Sequence, residues 1–168
     1  MNGNVVPSNI EKVNRSQFVT YLDTTPKATD MTFALLGVGI TSYGISYNPQ
    51  VETEKWIIED NARSDHTSNQ KQSSISQKIY KNDPCFEFAH GGLDKLNYTT
   101  HILDIDRYKG SNGVYPAKLS DGLLTVTQYM NENAVLEYDL YYMGDPVEGT
   151  VTVDATTGVP TFTPTVSL

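Results

Sequence analysis

Apolar and polar residues alternate with period two along the last third of the chain, the signature of half-buried strands. Residues 99–108, 122–130 and 134–142 each carry this pattern, with a turn at Asn131-Glu132-Asn133 separating the last two. In the third segment Ala134, Leu136, Tyr138, Leu140 and Tyr142 make one face, while Glu137 and Asp139 occupy the other. After Gly144-Asp145-Pro146, Val147, Val151 and Val153 alternate with Glu148, Thr150, Thr152 and Asp154, predicting a further strand with one apolar and one acidic-polar face. Near the other end, residues 15–22 (RSQFVTYL) read as a short first strand that stops at a Thr/Pro/Asp-rich loop.

Between these regions the pattern changes twice. In residues 35–59, Val38 and Ile40 share one parity and Tyr43, Ile45 and Tyr47 the other, with Gly37, Gly39 and Gly44 around the change. Glycines at a parity flip predict a bulged strand; with a turn at Asn48-Pro49-Gln50 and alternation resuming at Trp56 and Ile58, the stretch predicts a long hairpin over 35–59. Residues 60–77 hold almost no apolar residue and predict a functional loop or an extended strand that needs a neighbour. Asp83-Pro84 then supplies an N-cap and a proline at the first helical position, and Phe86, Ala89, Leu93 and Leu96 recur at helical spacing. One helix is predicted over 84–96, with Gly91-Gly92 able to end it at His90.

Composition supports a mainly β chain: Thr occurs 19 times and Ala only 7 among 168 residues, a length suited to one domain. The prediction is a β-sandwich or barrel-like domain over 15–163, preceded by a polar arm (1–14) and followed by a short tail (164–168). The arm's few apolar residues cannot offset its ordering entropy, so it is expected to order only against a partner. No stretch approaches the ~18 apolar residues of a membrane span, and no apolar leader opens the chain. Neither a membrane partner nor export by a cleaved signal is expected.

Net charge is −8, and its placement says more than its sum. From Leu119 onward there are seven acids and no Lys or Arg, which argues against a groove that grips nucleic acid. The single Cys85 precludes an intrachain disulfide, and no Cys/His spacing suggests a zinc site. Nucleotide-binding and hydrolase signatures are absent. Isolated candidates for chemistry are His90 with Asp94, four apart, and the strand pair Asp104 and Asp106, whose ~7 Å separation could suit a glycosidase. Both have plainer structural readings, as a helix-end histidine and an amphipathic acidic strand. His66 and His101 have no ligand-type partner nearby in the sequence, and Cys85 reads as core filler. The eleven tyrosines lie mostly at alternate strand positions, where they pack a core or a subunit interface. No catalytic residue, cofactor or metal is therefore expected.

The segments RSQFVTYLD, GITSYGISYNPQVETEKWIIEDNA, QKIYKNDPCFEF, YPAKLSDGLLTV, YYMGDPVEGTVTVD and GVPTF occur in this order from Arg15 to Phe162. Together they resemble the major tail (tail-tube) protein of long-tailed phages and prophages of Gram-positive bacteria. The resemblance implies a β-sandwich with one flanking helix. It implies assembly in the host cytoplasm into hexameric rings that stack as a tail tube in the virion. Genomic DNA passes through such a tube without being specifically bound, and the implied partners are the chain itself, the tape measure, the tail terminator and the distal tail protein. On this reading Glu137, Asp139 and Glu148, with Asp104 and Asp106, face the channel, because bare carboxylates are costly to bury beneath the apolar faces of their strands. Val5, Val6 and Ile10 of the arm and Tyr47, Asn48, Pro49 and Trp56 of the hairpin are expected at subunit contacts. A carbohydrate-binding or adhesin-like β-sandwich on a virion surface is the alternative, and an acidic-dyad glycosidase ranks third.

Overall fold

The computed structural model describes residues 8–130 and 132–165. Nine strands and one helix follow in chain order: β1 (Phe18–Asp23), β2 (Phe33–Leu36), β3 (Pro49–Glu54), β4 (Arg63–Asn69), β5 (Gln72–Lys78), α1 (Pro84–His90), β6 (Thr99–Asp106), β7 (Val114–Tyr129), β8 (Val135–Val153) and β9 (Pro160–Pro164). Seven strands form one antiparallel sheet in the order β2-β1-β6-β7-β8-β5, with β9 also paired to β8. The sheet curls into a half-barrel, so the mainly β, barrel-like expectation holds. β3 and β4 form a separate two-stranded ribbon.

The sheet carries a core on each face. Even-numbered Leu22, Leu36, Ile102, Leu124, Leu136, Tyr138 and Leu140 pack with Cys85, Phe86, Phe88 and Ala89 of α1. Odd-numbered Tyr21, Leu103, Ile105 and Val151, with Ala117, form a second cluster with Val19, Phe33 and Phe162 against it. Since successive strand residues point to opposite sides, these clusters lie on opposite faces, here called the helix face and the back face. β8 serves both: its first half buries even positions under α1, and its second half buries Val151 on the back. Between the halves, Leu119 opposes Val147 and Asp121 opposes Met143, so β8 holds two extra residues around Gly144. The break that reads as a turn at Gly144-Asp145-Pro146 is therefore a bulge within one 19-residue strand.

α1 begins where expected: the Asp83 carboxylate accepts from the Cys85 N–H at 3.2 Å, and Pro84 opens the first turn. It ends at His90 and does not reach residue 96. The Tyr98 ring lies against Gly92, where a Cβ would come within 2.7 Å of it, and Asp94 and Asn97 adopt positive φ. Leu96, on the expected apolar stripe, is left 92% exposed.

The predicted hairpin over 35–59 is also displaced. β2 pairs with β1, and residues 37–48 then cross the helix face, pairing with β5 at the isolated bridges Ile40–Gln77 and Ser46–Gln72. Gly39 makes that crossing possible, with φ of 75° and a Cβ position 2.5 Å from the Lys78 carbonyl oxygen. Asn48-Pro49 enters the hairpin rather than turning it: Asn48 sits at φ 42° and its amide donates to the Gln70 carbonyl at 3.1 Å. The true hairpin is β3–β4, running from Pro49 to Asn69. Its second strand and β5 occupy the polar stretch 60–77, which resolves as two strands, each with a neighbour. β9, in the closing Thr/Pro-rich segment, has no counterpart among the predicted strands.

Candidate assembly surfaces

The five acids expected on one channel face do not share a face. Glu137 and Asp139 project from the back of β8, whereas Glu148, of opposite parity, projects from the helix face with Asp104 and Asp106. Their neighbourhoods differ as well. Glu137 lies in the row Ser76–Glu137–Gln128 and Asp139 in the row Ser74–Asp139–Thr125, without a Lys or Arg in either. Among the described residues neither forms an ion pair, and Asp139 accepts from the Tyr141 hydroxyl at 3.4 Å. Glu148 instead pairs with Lys118 at 3.3 Å, and Asp106 with Lys109 at 3.4 Å.

Asp104 is set into the wall of the helix face. It accepts from the Thr20 hydroxyl at 2.6 Å and the Tyr142 hydroxyl at 3.0 Å, and Tyr142 is in turn 2.8 Å from the Tyr43 hydroxyl. Burial raises the Asp104 carboxyl above its ordinary range despite these donors, and raises both tyrosines for the same reason. This chain ties the crossing segment 37–48 to β1, β6 and β8. It bounds a cleft of about 280 Å³ lined by Phe18, Val19, Leu36, Ile45 and Asp104, among others.

The β3–β4 ribbon stands apart from both cores. From Ser46 to Gln70 every residue is exposed except Glu59, which is half-buried. Its turn carries Trp56, Ile57 and Ile58, at 48%, 103% and 84% exposure. Arg63 braces this turn, with its guanidinium 4.3 Å from the centre of the Trp56 ring and hydrogen-bonded to Glu59. Glu52 and Asp65 face each other directly across the ribbon, a like-charge pairing that weakens it. Of the expected contact residues, Tyr47, Asn48, Pro49 and Trp56 thus fall at the base and tip of one exposed ribbon, and Ile10 is 65% exposed. Val5 and Val6 lie outside the described residues, as do residues 166–168 of the tail.

The isolated candidates for chemistry sort as follows. His90 packs its ring against Phe86 and Tyr129, and Asp94 lies beyond the end of the helix, so the two share no helical face. His66 contacts the Ser68 carbonyl and the Asn69 side chain, both within its own ribbon. Cys85 is buried with its thiol directed at the Ala34 carbonyl; burial, and secondarily the nearby Asp83, push it up to about 12. His101, expected to lack a partner, lies between two. Its Nδ1 is 2.7 Å from Oδ2 of fully buried Asp23, and its Nε2 is 3.6 Å from Asp121. Asp23 uses its other oxygen to accept from the Thr25 and Thr32 N–H groups, closing the loop between β1 and β2.

A second unforeseen network is centred on Gln77, which is wholly buried. Its amide donates to Asp83 at 2.7 Å and to the Val38 carbonyl at 2.9 Å, while its oxygen accepts from the Tyr138 hydroxyl at 2.8 Å. Both networks join residues far apart in sequence, so spacing alone carries no sign of them. Among the described residues no group of three or more His, Cys, Asp or Glu could hold a metal ion. No helix there is long and apolar enough to cross a membrane. No protein-family model matches the chain, and none of the curated proteins compared with it matches either.

Proposed function

We propose that this chain is a structural subunit that polymerises as stacked hexameric rings into the tail tube of a phage virion, and that it has no catalytic role. The observation that carries the proposal is the β3–β4 ribbon. A two-stranded hairpin alone is marginal in water, and this one adds a like-charge pair and an exposed Trp-Ile-Ile tip. Burying such side chains against a partner would gain about 1.5–3 kcal/mol each, which favours a role in association. The curled antiparallel sheet is a suitable wall element for a tube.

On this reading the back-face acids Glu137 and Asp139 are the best candidates for the bore. They are neutralised by no cation among the described residues, and an acidic wall lets a duplex slide where a cationic one would bind phosphate. Glu148, Asp104 and Asp106 are better placed for contacts between subunits or within the cleft. Tape measure, terminator and distal tail proteins would then be the natural neighbours at the lumen and tube ends. Negative-stain imaging of purified chain at increasing concentration tests the proposal. Rings or tubes with a central channel are expected; compact monomers that bind glycan would favour the carbohydrate-binding alternative instead.

A further inference from the structure

We infer that the ribbon tip of one copy seats in the cleft between β1, β2 and the crossing segment of a second copy, with Ile57 and Ile58 entering between Phe18, Leu36 and Ile45. The inference rests on the tube reading and adds to it the receiving site. Two observations select this pair of surfaces. The tip is the most exposed apolar cluster of the described chain, and the cleft's 280 Å³ has walls made largely of apolar side chains, room for one or two aliphatic side chains.

Charge selects among the clefts. Lys55, at the tip, takes part in no ion pair among the described residues, and the cleft is lined by two carboxylates, Asp104, hydrogen-bonded to the Thr20 and Tyr142 hydroxyls, and Asp106. Arg15, also at the cleft, is engaged with the Thr41 carbonyl at 2.6 Å. The cleft beside Leu96 is lined by Lys27 and Lys95 without a carboxylate, and would repel Lys55. The larger cleft on the other side of Ile45 shares Asp104 and Asp106 and adds Glu148, but sets Lys71, Lys109 and Lys118 against them. It therefore offers Lys55 no net negative charge, whereas the receiving cleft sets Asp104 and Asp106 against Arg15 alone. Tip and receiving cleft are different surfaces of one chain, so each subunit offers one of each to its neighbours. Such head-to-tail contacts propagate, giving a ring where the rotation closes and a filament where it does not.

Mixing two singly substituted full-length chains tests this. Ile57→Cys chains and Phe18→Cys chains, both at exposed positions, are combined under assembly conditions and treated with a short bis-maleimide; buried Cys85 does not compete. A cross-linked heterodimer is expected, with at least tenfold less product when Leu96→Cys replaces Phe18→Cys. Ile57→Asp/Ile58→Asp should keep the melting temperature and lose association by a hundredfold or more. Tubes that form without the Ile57–Phe18 cross-link, or with Leu96 cross-linked instead, would overturn the cleft assignment and leave the tube reading standing. A wild-type chain that neither associates nor cross-links at any concentration would overturn both.

Discussion

Glu137 and Glu148 belong to one strand, β8, and project from opposite faces of the sheet. Charge reversals at the two positions should therefore have separable effects. Glu137→Lys with Asp139→Lys is expected to fold and assemble at moderate salt but to slow DNA ejection several-fold, with the defect easing as salt rises. Glu148→Lys replaces an exposed pair with Lys118, worth about 0–1 kcal/mol, by an exposed like-charge contact that solvent screens, and should leave the ejection rate unchanged. Ejection kinetics from virions shown to contain each variant check this. Equal slowing by both would place the bore on neither face.

Gln77→Leu removes the partner of two buried groups, the Tyr138 hydroxyl and the Asp83 carboxylate, and of the part-buried Val38 carbonyl. Unsatisfied buried groups cost roughly 1–3 kcal/mol each, and partial relaxation should leave a net loss of about 3 kcal/mol. For a chain of this size that corresponds to a fall in Tm of roughly 6–12 °C, measured by thermal unfolding of the unassembled protein. A fall under 2 °C would show the network to be energetically idle.

Asp104 gives stability a definite slope with pH. Burial raises its folded-state carboxyl above the ordinary value of 3.8, so the native state holds this proton at pH values where the unfolded chain has released it. The native state then binds more protons than the unfolded one, and the contribution of this group to stability falls as pH rises through that window. Asp104→Asn removes the effect and keeps a group that can accept from Thr20 and Tyr142. Tm measured from pH 3.5 upward should decline less steeply in the variant than in the parent chain. Parallel curves would contradict the assignment.

Cys85 should be silent toward thiol reagents in the native protein. With its thiol pushed up to about 12 and its side chain buried, the thiolate fraction at pH 8 is on the order of 10⁻⁴. Ellman's reagent is expected to score no free thiol over an hour in buffer and one per chain in denaturant. Rapid native labelling would mean that α1 opens.

The regular strands were legible in the sequence because one face of each is apolar. β6 and the halves of β8 alternate as expected, and Tyr138 and Leu140 are buried as their parity requires. β4 escapes such reading because all seven of its residues are exposed, leaving no apolar period to detect. β5 escapes for a different reason: of its three buried inward positions, Ser73 and Gln77 are polar and only Ile75 is apolar. The parity flip at residues 37–47 is real, but it reflects a segment passing over the helix face between two isolated bridges rather than a bulged strand. The acidic faces on the two halves of β8 were each read correctly. Their assignment to one side failed because the buried face changes from even to odd positions across the bulge.

Removal of the ribbon tests self-assembly most directly. Asn48 and Gln70 are already joined by a hydrogen bond, so a chain lacking Pro49–Asn69 can be closed across its base without disturbing either core. Sedimentation velocity of this deletion beside the full chain is the measurement. The full chain should sediment as rings or longer species that grow with concentration, and the deletion as a folded monomer of unchanged Tm. A full chain that remains monomeric, or a deletion that assembles as well as its parent, would contradict the proposal that the ribbon holds subunits in a tube.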